Sequence, residues 1–319
     1  QGDGSYMARM WADVAERIGM IVVAPSEAGP NAGYAFSQRE RDAALAALRW
    51  ARLEFDVEED AIFATGVSRG GHLAWDLALR HPGIFAGIMP MIGGPRRNPA
   101  GGQNNLRFLE NVVGLPIRDL QGANDDQRLV ASLRGAFRQL EQWKAVDAKL
   151  VEFAELGHSY DFSAVDWQAW IEPLQRPQPA KSLVCMAARE GEARHAHAEI
   201  LKLAKGAVEI PKLQIDVRKW NRWSEPQRNA YVDDFLRART ARLEVRMEAP
   251  GRFVARTTHV RKWRLLLSPD MLGDHGRVEV VIGRRTVTRT VKSDKRVLLR
   301  EFAQHFDRTF LPTCELKLP

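Results

Sequence analysis

Residues 61–80 read A-I-F-A-T-G-V-S-R-G-G-H-L-A-W-D-L-A-L-R, and they limit the fold more than any other stretch of the chain. An apolar run from Ala61 to Val67 predicts a strand, and the spacing from Gly70 to Arg80 predicts an amphipathic helix. The change of period falls inside Gly66-Val67-Ser68-Arg69-Gly70, a G-x-S-x-G pentapeptide. A turn this tight forces its serine into a strained conformation, and glycines at 66 and 70 remove side chains that would clash across it. The helix that follows aims amide groups and its positive dipole end at the turn. Such a strand–turn–helix setting is that of a nucleophile elbow, with Ser68 as nucleophile and the Arg69 amide as one oxyanion donor. The competing reading is an ordinary strand–helix turn in which Ser68 only caps.

The surrounding chain alternates helical and extended patterns, the signature of a parallel-sheet α/β domain. Helices are predicted over Met7–Ile18, Ser37–Phe55, Gln127–Val146 and Trp167–Leu174. Strands are predicted over Met20–Ala24, Ile84–Ile92, Leu115–Leu120 and Lys149–Leu156. Ser37 with Glu40 three residues on forms a capping box. Pro173, Pro177 and Pro179 lie in a polar stretch that reads as a linker, which places a domain over residues 1–176 and a second over 181–319.

Charge divides at the same place. Residues 1–180 hold 18 Lys+Arg against 23 Asp+Glu, a net of −5, whereas residues 181–319 hold 29 against 17, a net of +12. Beyond the linker a helix is predicted over Glu192–Lys205. Short alternating runs follow at Arg242–Met247, Arg252–Thr257, Trp263–Leu267, Val278–Ile282 and Arg285–Val291. They suggest a small antiparallel β domain, a sandwich. No apolar run approaches the roughly 20 residues of a membrane helix, so no membrane partner is expected. The two cysteines, Cys185 and Cys314, make neither a disulfide framework nor a metal site and read as buried thiols, and no metal or organic cofactor motif is present.

A serine hydroxyl needs a base to take its proton. Of eight histidines, His158 in Gly157-His158-Ser159-Tyr160 follows the last strand of the first half, where the base of such a site belongs. His72 and His81 read as packing or capping residues. The orienting acid should lie between Ser68 and His158, just past a strand. Asp125 and Asp126 in Gln121-Gly122-Ala123-Asn124-Asp125-Asp126 both fit; Asp125 is favoured as the orienting group and Asp126 as a helix cap. The second oxyanion donor is assigned to Gly2 in the opening Gln1-Gly2-Asp3-Gly4, with Gln1 its rival. The Gly93–Gln103 loop and the region of Tyr34 and Phe36 are expected to shape the pocket.

G-V-S-R-G-G-H-L-A-W-D-L-A-L-R-H-P-G-I-F-A-G-I-M-P, then Q-G-A-N-D-D, then G-H-S-Y-D, resembles the α/β-hydrolase superfamily. Within it the likeness is to bacterial esterases of the feruloyl-esterase and polyhydroxybutyrate-depolymerase type and to prolyl oligopeptidase-like catalytic domains, over roughly residues 1–175. The resemblance implies a triad of Ser68, Asp125 and His158. Two departures stand out. Gln121 occupies the place of the histidine in the family's H-G-x-x-D. The chain also opens at the loop that follows the third strand of the family's sheet. The expectation is therefore an N-terminally truncated α/β-hydrolase sheet lacking its first strands, with a gap between Met20–Ala24 and Ala61–Val67 or a re-pairing of the two.

Carboxylic-ester hydrolysis on a small-molecule ester is the activity implied. A serine peptidase is the nearest rival, because the triad is shared and specificity lies in loops. The arginine-rich second half, with Trp220, Trp223 and Trp263, admits a polyanion-binding module, for an acidic polysaccharide or nucleic acid, against an accessory domain with a solvated basic face. The absence of any nucleic-acid motif disfavours nucleic acid. The resemblance leans towards a periplasmic or secreted protein.

Overall fold

The computed structural model describes residues 4–26, 33–97, 104–176, 180–192 and 194–319. Contacts divide the chain into two units. The first comprises Gln1–Ala78, Ile84–Pro95 and Val113–Pro177; the second comprises Leu79–Gly83, Arg96–Val112 and Gln178–Pro319.

The first unit is an α/β layer structure. In chain order it contains α1 (Gly4–Ile18), α2 (Gln38–Glu54), β1 (Phe63–Val67), α3 (Arg69–Arg80), β2 (Gly87–Met91), β3 (Ile117–Gly122), α4 (Gln127–Gln142), β4 (Ala148–Phe153) and α5 (Trp167–Ile171). The four strands lie in the order β1-β2-β3-β4, all parallel. Every residue of β2 is buried, as expected of a central parallel strand covered on both faces. Trp11 and Val14 of α1 pack with Trp167, Trp170 and Ile171 of α5 against Met89, Met91 and Leu120 of the sheet. The Trp11 and Trp167 rings meet edge to face at 5.2 Å. The capping box forms as the sequence predicts: the Ser37 side chain accepts from the Glu40 amide and the Glu40 carboxylate accepts from the Ser37 amide.

Two expectations fail here. Met20–Ala24 is no strand; among the described residues it pairs with no neighbour and β1 is the edge of the sheet, and Ile21, Val22 and Val23 are exposed. A run of β-branched residues makes a strand only when another strand completes its hydrogen bonds. Helix α4 also stops at Gln142 rather than Val146, because Lys144 turns to φ 56° and breaks the helical path.

The second unit contains two sheets. Its elements are β5 (Ser182–Ala187), β6 (Arg194–His195), β7 (Ala198–Leu203), α6 (Val217–Arg222), α7 (Glu225–Arg237), β8 (Ala241–Ala249), β9 (Arg252–Thr258), β10 (Val260–Leu267), β11 (Arg277–Ile282), β12 (Arg285–Thr290), α8 (Lys295–His305) and β13 (Cys314–Leu318). The sheets run β13-β10-β7-β6 and β12-β11-β9-β8-β5. Ile200, Trp263 and Leu265 from one share a core with Leu243, Val245, Phe253 and Val280 from the other, so the arrangement is a sandwich. It is not wholly antiparallel, since β9 and β11 run parallel.

The helix predicted over Glu192–Lys205 is replaced by β6 and β7. Ala, Glu and Lys in that stretch favour a helix. However, Ala198 and Ile200 alternate into the core, and β7 pairs with β10 along its length. Ala196, at φ 46°, makes the turn between the two strands. Helix α7 went unpredicted although Ser224, Pro226 and Gln227 form a legible helix start with a capping box. Both cysteines are free and buried. Trp263 is fully buried and donates its indole N–H to the Pro319 carbonyl, which makes it a core residue rather than a surface platform.

Candidate active site

Strand β1 delivers Ser68 to the turn before α3. Ser68 adopts φ 56°, in the left-handed region that a side chain seldom occupies. Its amide donates to Met91 O at 2.8 Å, and its carbonyl accepts from the His72 amide at 3.1 Å, so the turn is fastened to both β2 and α3. Close packing leaves no room for side chains nearby. A Cβ on Gly66 would lie 2.3 Å from the Gly70 carbonyl carbon, and one on Gly93 would lie 2.3 Å from Ser68 O. A Cβ on Gly70 would meet nothing within 4 Å among the described residues, so among them only the first of the two motif glycines is demanded by sterics.

The Asp125 and His158 loops leave the ends of β3 and β4 and cross at two glycines. A Cβ on Gly122 would come within 1.9 Å of Gly157 O. The Asn124 amide donates to Leu156 O at 2.9 Å, and the Asn124 side chain donates to Ala154 O at 2.9 Å. These contacts place His158 between the other two groups. His158 Nε2 lies 2.8 Å from Ser68 Oγ, and His158 Nδ1 lies 2.9 Å from Asp125 Oδ2. An ionised carboxylate can only accept, so Nδ1 carries the proton and Nε2 is the acceptor facing the hydroxyl.

Asp125 is held as a carboxylate. Burial would raise its pKa, but the His158 ring, the Asp126 amide and the Gln121 side chain all donate to it, and together they hold it below the usual carboxylate range. Asp126 points elsewhere, and its side chain accepts from the Arg128 amide as the N-cap of α4. The sequence favours Asp125 as the orienting group and Asp126 as the cap; the geometry puts Asp125 on the imidazole and Asp126 on a helix end.

Arg69 begins α3, and its guanidinium pairs with Glu40 at 3.1 Å. Gly2 and Gln1 lie outside the described residues, as does 98–103 of the Gly93–Gln103 loop. His72 takes no part in the Ser68–His158–Asp125 line; its Nδ1 sits 2.7 Å from Gly94 O, and its ring packs against Tyr34 and Phe36. His195, His197, His259, His275 and His305 belong to the second unit. No group of three metal-ligating side chains occurs among the described residues.

Sequence reasoning missed two buried polar contacts of α3. Asp76 of α3, fully buried, accepts from the Tyr34 hydroxyl and the Arg41 guanidinium at 2.8 Å each. Asp119 of β3, also fully buried, accepts from the Trp75 indole at 2.6 Å and thereby ties α3 to β3. A charged residue within an otherwise buried strand or helix face was the available signal.

No protein-family model matches the chain, and no curated protein matches it significantly. Solved structures similar to it include a thermostable esterase, 18% identical over 44% of this chain and 38% of that one, at a TM-score of 0.35. The carboxylesterase of Bacillus cereus is 16% identical over 54% of this chain and 84% of that one, at 0.39. The acylaminoacyl peptidase of Pyrococcus horikoshii is 15% identical over 39% of this chain and 25% of that one, at 0.32. This chain thus spans well under two thirds of the thermostable esterase and of the peptidase. Four parallel strands, a left-handed serine between the first of them and a helix, and an aspartate and a histidine past the third and fourth make the first unit a parallel α/β sheet with the strand–turn–helix setting of a nucleophile elbow.

Proposed function

We propose that this chain is a serine hydrolase that cleaves a carboxylic ester through an acyl-enzyme on Ser68. The observation that carries the reading is the continuous hydrogen-bonded line Ser68–His158–Asp125, at 2.8 and 2.9 Å, ending on a serine in the left-handed region. In this reading Ser68 Oγ attacks the ester carbonyl carbon while His158 Nε2 takes the hydroxyl proton. Negative charge moves to the carbonyl oxygen, where the amide of Arg69, first in α3, is the backbone donor this reading assigns, with Gly2 as the second. The C–O bond to the alcohol then breaks, and the alcohol leaves with the proton from His158. Water, deprotonated by the same nitrogen, attacks the acyl carbon, and Ser68 recovers its proton as the acid departs. Asp125 keeps the imidazole in the required tautomer and stabilises its protonated form.

A p-nitrophenyl ester of a short acid, with the matching p-nitroanilide beside it, tests this reading. Ester turnover is expected to vanish in both Ser68→Ala and His158→Ala, and a fluorophosphonate is expected to label the unaltered chain at Ser68. Folded protein with neither turnover nor labelling would sink the hydrolase reading. Turnover of the anilide at the greater rate would replace the ester by a peptide.

A further inference from the structure

Gln121 ends β3 one residue before Gly122 and is fully buried. Its Nε2 donates to Asp125 Oδ2 at 2.9 Å and to Gly122 O at 3.1 Å. Asp125 Oδ2 is the same oxygen that receives the His158 Nδ1 proton, and Oδ1 accepts from the Asp126 amide at 2.7 Å. The carboxylate therefore has three donors, and only one comes from a side chain outside the triad. The other end of the amide, Oε1, is buried with no hydrogen-bond partner among the described residues. Turning the amide over would satisfy nothing at Oε1 and would press an oxygen against a carboxylate. An unsatisfied buried carbonyl costs free energy, so the orientation is held by the Asp125 bond.

We propose that Gln121 is a positioning residue, whose amide fixes the Asp125 carboxylate in the rotamer that receives His158 Nδ1. The proposal rests on the hydrolase reading of Ser68, His158 and Asp125 for its kinetic consequence and on the geometry alone for its structural one. Each further donor to a carboxylate narrows the angles through which it can turn. Here the Asp126 amide engages Oδ1 and Gln121 shares Oδ2 with the imidazole, so that loss of the amide leaves Oδ2 held by His158 alone and the Asp125 rotamer less tightly fixed.

Gln121→Met keeps the shape and removes the donor; Gln121→Glu restores a donor only while the new carboxyl and Asp125 share a proton. Both are to be assayed for kcat and KM against pH, with the downfield His158 Nδ1 proton followed by NMR and folding followed by circular dichroism. Gln121→Met is expected to lower kcat about tenfold, the worth of one hydrogen bond to a charged group, with KM unchanged and the Nδ1 resonance broadened or lost. Gln121→Glu is expected to recover kcat at lower pH and to lose it along an alkaline limb that the unaltered chain lacks. An unaltered chain without the Nδ1 resonance, or a Gln121→Met variant that retains both resonance and kcat, overturns the proposal. So does a loss of kcat in Gln121→Met with no pH-dependent recovery in Gln121→Glu, which would mark a packing role. If the unaltered chain neither turns over ester nor labels with fluorophosphonate, the hydrolase reading falls separately, and the Nδ1 resonance in the two chains still decides the positioning role.

Discussion

Asp119 and Asp125 stand six residues apart on one strand and its following loop, yet their surroundings push them in opposite directions. Asp125 receives three donors and is held low. Asp119 receives one, from Trp75, and its second oxygen has no partner among the described residues; burial raises its pKa well above the ordinary 3.8. The sign of the linkage follows. A carboxyl whose folded pKa is raised contributes its stability below the unfolded pKa, and that contribution is lost as pH rises towards the folded value. Asp119→Asn, which keeps an acceptor for Trp75 without the charge, is expected to unfold at higher urea than the unaltered chain at pH 7. The gap should close as the pH falls below about 4. Urea midpoints of the two proteins across that range check it; equal midpoints at pH 7 would mean that Asp119 carries no desolvation cost. The candidate catalytic residues were legible one by one, because each sits at a recognisable place after a strand. Asp119 and Gln121 were not legible as supports, since nothing in a linear pattern says which buried polar atom meets which.

The elbow is an element-scale device, and its two motif glycines do different things. At Gly66 a methyl group would enter the Gly70 backbone at 2.3 Å, whereas at Gly70 it would meet nothing within 4 Å. Gly66→Ala is thus expected to cost activity and stability together by displacing Ser68. Gly70→Ala should leave activity intact and stabilise α3 by about 0.5–1 kcal/mol, the usual cost of glycine in a helix. Thermal midpoints and ester turnover of the pair check it; equal effects at both positions would show that the pentapeptide is not read through sterics. Among the elements, those that begin with a cap or keep a strict period were found within a few residues. The α2 helix with its Ser37–Glu40 box is one such case. Where propensity and period disagreed, as over 192–205, pairing with β10 decided for strand.

At the scale of the whole chain, the arginine-rich second unit spends much of its charge internally. Arg264, almost fully buried, pairs with Glu199, Glu301 and Glu315, and Glu301 pairs in addition with Arg194 and Arg300. Removing the central cation takes from Glu199 its ion pair with Arg264 and leaves Glu301 and Glu315 with fewer cations beside them. Arg264→Met is expected to destabilise the chain by about 3–5 kcal/mol, as breaking a buried pair from one side does. Chemical denaturation checks it, and a loss below about 1 kcal/mol would mean that the cluster is solvated. The count of charges, net +12 over residues 181–319, describes a composition. Which cations are neutralised by a neighbour is a property of the sheets that bring β7, β10, α8 and β13 together.

The sequence by itself determined the α/β character of the first half, the turn that presents Ser68, the β-rich second half and the residue types at each candidate position. These follow from local period, caps and turns, whose energetics are set by neighbours within a few residues. Tertiary structure alone decided three further things. Met20–Ala24 finds no partner and 198–203 does. Asp125 rather than Asp126 meets the imidazole. Gln121 meets Asp125, Asp119 meets Trp75 and Asp76 meets Tyr34. Each depends on a hydrogen bond or ladder between residues distant in the chain or on a side-chain direction, and buried polar groups are satisfied only where the fold brings a partner to them.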